Sequence, residues 1–170
     1  VASYLWLDPS LAMSQAEAIA EAATVRGLSP ADEVETRLES LRIELEAMDA
    51  EARDALAPAQ GLSMIATHPR YQYLARAYGL SIASLEWDAG AMPSAEDLAE
   101  LETLVEETGA RILIWEREPP PAAMDATSAL GVENTVFNPL SVAETGSSFT
   151  EAFTSAVDDL SQTVSRVLGD

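Results

Sequence analysis

The sequence predicts an α/β fold: a parallel sheet of about four strands with helices on both faces, preceded by a long N-terminal connecting helix. Three observations carry this reading. After Pro58, short apolar runs alternate with longer segments of helical periodicity. Three of the helical segments close on a glycine (Gly79, Gly109 and Gly131), with a strand starting shortly afterwards. Glycine there supplies the left-handed cap from which a chain turns back into a sheet. Strand–helix repeats of this kind also need crossover connections, and these join parallel strands with a right-handed sense.

Each element has its own local reason. Asp8 followed by Pro9 reads as an N-cap and a first helical position, opening a helix that runs to about Val25 and stops at Gly27. A second helix spans residues 31–56, where Val34, Leu38, Leu41, Leu45, Met48 and Ala52 recur in steps of four and three and form one apolar stripe. Glu and Arg fill its other face. The stripe is too short for a sustained coiled coil and predicts a strut buried along the domain. The strands are expected at residues 62–67, 81–87, 111–115 and 134–137, and the helices between and after them at 70–78, 94–108, 121–130 and 149–168. Residues 1–57 are thus read as connecting helices, and residues 58–170 as one α/β lobe.

The composition narrows function by exclusion. The formal net charge is −20, and all nine basic residues are Arg. That field repels phosphate backbones, which argues against nucleic acid as a partner, and it favours cations. Cys is absent, so thiolate metal sites and disulfides are out. No apolar run reaches the roughly 18 residues that a membrane-spanning helix needs. The chain opens without an initiator Met or a signal peptide, in keeping with a mature or trimmed chain and compatible with an export signal removed before it. Walker, GxGxxG, GxSxG and HExxH motifs are missing, which weakens enzyme readings.

Open parallel sheets bind ligands beyond the carboxyl ends of their strands. His68, the sole His, follows the first strand; Asp88 follows the second, Glu116 and Glu118 the third, and Asn138 the fourth. A His, carboxylates and an amide along one sheet edge could hold a cation. Glu116 and Glu118, flanking Arg117 beside the run Pro119–Pro121, read as a solvated loop, and Asp88 as a turn residue. Trp6, Trp87 and Trp115 read as packing residues, the last two near the cleft.

The segment Tyr4-Leu5-Trp6-Leu7-Asp8-Pro9 is similar to a DPHxWLDP motif, and the run from Thr67 to Leu80, THPRYQYLARAYGL, resembles FHDAFGYFARRYGL. Pro93-Ser94-Ala95 before a helix resembles EPSxxxL, and Phe137-Asn138-Pro139-Leu140 resembles DPLG. In order and spacing these resemble the periplasmic zinc- or manganese-binding receptors of ABC importers, and within them the C-terminal lobe with its connecting helices. The resemblance implies a rigid helix joining two lobes with a divalent metal held between them, and an importer permease as partner. It places three of the metal positions on Tyr4, His68 and Asn138, of which only His68 keeps an ordinary ligand. A neutral phenol coordinates poorly, and Asn offers a neutral oxygen where the family has an anion, so a depleted site with weak Zn²⁺ or Mn²⁺ binding is expected. The alternatives are a metal-free pseudo-receptor acting through protein–protein contacts, and an enzyme using His68 as acid or base with a strand-end carboxylate.

Overall fold

The computed structural model describes residues 3–88, 90–142 and 146–169. A 3₁₀ turn, Leu5–Leu7, leads into α1 (Pro9–Val25) and α2 (Ala31–Leu56). The elements β1 (Ser63–Ala66), α3 (Gln72–Tyr78), β2 (Ser81–Ser84), α4 (Ala95–Thr108), β3 (Ile112–Trp115), α5 (Pro121–Ser128), β4 (Glu133–Val136) and α6 (Phe149–Leu168) follow. All strand pairs are parallel, in the order β2-β1-β3-β4. The expected α/β architecture is therefore the one observed.

Side chains alternate across the two central strands, as the two-residue period of a strand requires. Met64 and Ala66 of β1, with Ile112 and Ile114 of β3, point to one face. There they pack with Leu45, Met48 and Leu56 of α2, Leu74 of α3, and Phe153 and Leu160 of α6. Ile65, Leu113 and Trp115 point to the other face and pack with Leu101 of α4 and Ala123 of α5. β1 and β3 are covered on both sides, which is why they read as unbroken apolar runs. The edge strands are more polar: Ser81 and Ser84 of β2 and Glu133 of β4 are exposed.

The helix ends follow local chemistry. The Asp8 carboxylate accepts the amide of Ser10 at 3.0 Å and opens α1 with Pro9 in its first turn. Ser94 and Ser148 open α4 and α6 with capping boxes that pair them with Asp97 and Glu151. Gly79 and Gly109 cap α3 and α4 at φ values of 68° and 67°. Gly131 acts differently from the expectation: α5 caps at Ala129, and Gly131 (φ 85°) turns the chain after it.

Element ends shift by a residue or two from the sequence reading, and two larger differences stand out. The regular part of β2 ends at Ser84, yet its hydrogen bonding to β1 continues, with Leu85 N donating to Ala66 O (2.9 Å) and Trp87 N to Thr67 O (2.8 Å). The α2 stripe is buried only from Leu45 onward; Val34, Leu38 and Leu41 are half-buried, in the stretch where α2 runs beside α1. Among the described residues, no helix is long and apolar enough to cross a membrane.

Candidate functional site at the carboxyl edge of the sheet

β1 and β3 are neighbours at the centre of the sheet, and their following helices depart to opposite faces. That is a topological switch point, where an open parallel sheet leaves a crevice beyond its strand ends. The chain leaves β1 through Thr67, whose amide donates to Ile114 O at 2.9 Å, and reaches His68. The β1–β3 register pairs Ala66 with Ile114; continued by two residues, it sets His68 opposite Glu116. On the other side Trp115 pairs with Val136, so Asn138 follows one position past the level of Glu116.

His68 is half-buried and held in one orientation, with Nδ1 2.9 Å from the carbonyl oxygen of Trp87. A carbonyl only accepts, so Nδ1 carries the hydrogen, and Nε2 of the neutral ring keeps its lone pair. This is the hydrogen-bonding pattern that fixes an imidazole for coordination through its second nitrogen. Asn138 Oδ1 accepts the amide of Leu140 at 2.9 Å and shapes the turn after β4.

Tyr4 is brought to this edge by the N-terminal segment. Trp6 Nε1 donates to Pro139 O at 2.9 Å, tying the 3₁₀ turn to the loop that carries Asn138. Arg76 donates to Asp8 at 2.6 Å, tying the start of α1 to α3. Among the described residues, the two non-glycines at positive φ are Tyr4 (68°) and Leu140 (56°), one on each side of the Trp6–Pro139 bond. Left-handed backbone in such residues persists only where the surroundings impose it.

The sequence reading set Glu116 at this edge but took it for a solvated loop residue, and it did not name Arg70, which lies beside it. Glu116 is no solvated loop residue: its side chain is 11% exposed, and its Oε2 lies 3.1 Å from Arg70 Nε. The Arg70 guanidinium carbon also lies 4.9 Å from the centre of the Tyr4 ring, in cation–π range. The signal available was opposite charges just past the ends of two adjacent central strands. Tyr71, the next residue, donates from its hydroxyl to Phe137 O at 2.6 Å, and burial, with the charge of Glu116 adding to it, raises its pKa. Glu118 is exposed, as expected, and Asp88 accepts the amide of Ala91 in a turn. Trp87 and Trp115 are buried with ring centres 5.6 Å apart, as packing residues.

The donor set is thus one oriented imidazole, one carboxylate already paired with a guanidinium, a phenol and a carboxamide. Among the described residues, no group of three or more His, Cys, Asp or Glu side chains could hold a metal ion.

Together these elements make a doubly covered parallel α/β lobe with an oriented histidine at its switch point and a long helix alongside. The chain belongs to the family described as zinc-uptake complex component A, periplasmic, whose model matches residues 3–163. Among solved structures it is similar to the Zn(II)-bound ZnuA-like domain of Streptococcus pneumoniae AdcA, with TM-score 0.84 and 24% identity, over 95% of this chain and 63% of that one. It is also similar to the metal-dependent lipoprotein YcdH of Bacillus subtilis, with TM-score 0.82 and 22% identity, over 94% and 62% of the two chains. The laminin-binding protein Lbp of Streptococcus pyogenes matches at TM-score 0.75 and 20% identity, over 95% and 63%. The chain therefore spans less than two thirds of the length of these structures. Comparison with curated proteins gives no matching sequence.

Proposed function

We propose that this chain is the metal-receiving C-terminal lobe, with its connecting helices, of a periplasmic receptor that delivers a divalent cation, zinc or manganese, to an ABC importer permease. Residues 1–57 serve as connectors and residues 58–170 as the lobe. The observation that carries the reading is His68, whose Nδ1 is engaged by the Trp87 carbonyl, so that Nε2 is the coordinating atom. Tyr4 and Asn138 are the flanking positions, and both offer neutral oxygens. The protein's part is to present and orient these donors; it performs no covalent chemistry on the ion.

Titration calorimetry with Zn²⁺ tests this. The chain is expected to bind weakly, and the double variant Tyr4→His, Asn138→Asp to bind at least about tenfold tighter, because an imidazole and an anion then join His68. Equal affinities would mean that these positions are not the metal site. A second reading, a pseudo-receptor acting through protein contacts, draws support from the guanidinium of Arg70 seated at the cleft; zinc binding lost in His68→Ala would exclude it.

A further inference from the structure

We propose that Arg70 is a tethered cation standing at the ion site, and that Glu116 is the anionic ligand a divalent ion recruits by displacing it. The inference rests on the metal-receptor reading and names a ligand and a competitor within that site.

Glu116 directly follows the central strand β3, with a side chain 11% exposed. A carboxylate so covered needs a compensating positive charge, and losing one is costly. Arg70 provides it at 3.1 Å, arriving two residues after His68 and with its guanidinium over the Tyr4 ring. One positive charge thus sits between the end of β3 and the N-terminal segment, at the strand level where the register sets His68 against Glu116. That is where an ion bound by His68 would have to find its anion. Asn138 is the weaker candidate, since its side-chain oxygen is neutral and already accepts the Leu140 amide.

The exchange is chemically simple. A dication gains more from the Glu116 carboxylate and the His68 nitrogen than a single guanidinium gains from the carboxylate alone. Arg70 is 30% exposed on a flexible stem, so its head can move to solvent without unfolding the lobe. Metal affinity is then lowered by the cost of parting Arg70 from Glu116, and removing the guanidinium should raise it.

The test measures Zn²⁺ affinity of the full chain at pH 7.5 for Arg70→Gln, Arg70→Lys, Glu116→Gln and Arg70→Gln with Glu116→Gln. Circular dichroism checks folding, and Co²⁺ visible absorption reports the ligand set. Arg70→Gln is expected to bind about tenfold tighter than wild type, which corresponds to about 1.4 kcal/mol. Arg70→Lys, which keeps the charge but loses the planar stack, should gain about threefold. Arg70→Gln should also alter the Co²⁺ spectrum, and adding Glu116→Gln to it should abolish both the gain and that alteration. If Arg70→Gln fails to fold with Glu116 left unpaired, Arg70→Lys decides alone, and unchanged or weaker binding there overturns the proposal. The variant Tyr4→His, Asn138→Asp separates the two levels. Tight binding by it without any gain from the Arg70 variants overturns the exchange and leaves the receptor reading standing; no zinc binding by any variant overturns both.

Discussion

Asp8 joins two helices, α1 and α3, through one carboxylate. It caps α1 through the Ser10 and Leu11 amides, takes the Ser10 hydroxyl, and receives Arg76 from α3 at 2.6 Å. Asp8→Ala removes the cap, for which about 1 kcal/mol is typical, and an ion pair whose Arg is 59% exposed, which limits its share to under about 1 kcal/mol. The expected loss is about 2 kcal/mol, which for a chain of this length lowers the melting temperature by about 4–8 °C. Asp8→Asn keeps a capping oxygen and loses only the charge, so it should cost less than half as much. Thermal unfolding followed by circular dichroism at pH 7 measures both. Burial alone would raise the Asp8 pKa, but the hydrogen bonds from Arg76, Ser10 and Leu11 outweigh it and hold the carboxyl below its ordinary value. A lowered native pKa gives stability that is present above the unfolded value, about 3.9, and is lost as pH falls through the native one. The gap between wild type and Asp8→Asn should therefore be level from pH 5 to 8 and close only below about pH 4. The reasoning is refuted if Asp8→Ala melts within about 1 °C of wild type, or if the two variants fall equally.

The position of a residue along α2 should decide the cost of altering it. Leu45, 3% exposed, should not tolerate Asp, and that variant should be insoluble or melt far below wild type, whereas Leu41→Asp, at a half-buried position, should stay folded with a loss of about 1–2 kcal/mol. Equal melting temperatures for the two would contradict the burial gradient. Tyr71→Phe leaves the Phe137 carbonyl without its 2.6 Å donor and should cost about 1–2 kcal/mol in urea unfolding at an unchanged m-value.

The strands, their direction and the level of the site were legible because they follow from chain periodicity. Ile65 between Met64 and Ala66, or Leu113 between Ile112 and Ile114, can only serve two opposite faces, and a parallel sheet sends every strand end to one edge. His68 and Asn138 could be placed on that edge from the sequence for the same reason. The Arg70–Glu116 pair could not, because it depends on where a long side chain swings after a turn. The burial of α2 was overread for a geometric reason. At 1.5 Å per residue its 26 residues extend about 39 Å, roughly three times the ~13 Å of a four-residue strand, so the first part of the stripe runs past the sheet and beside α1. Gly131 was misplaced because a glycine near a helix end signals a reversal of the chain without saying at which residue it occurs.

The polar, four-residue edge strands bear on how this molecule meets its neighbours. A row of unpaired backbone groups invites a foreign strand to add on, and proteins blunt it by shortening the edge and making it polar or charged. Here β2 presents Ser81 and Ser84, and β4 presents Glu133, which also lies 3.8 Å from Arg166 of α6. An incoming strand would gain few hydrogen bonds and would place side chains against an acidic surface. Continuation of the sheet from one molecule into the next is thereby discouraged, and any lasting contact must form on helices and loops, where side-chain shape and charge decide which partner is accepted.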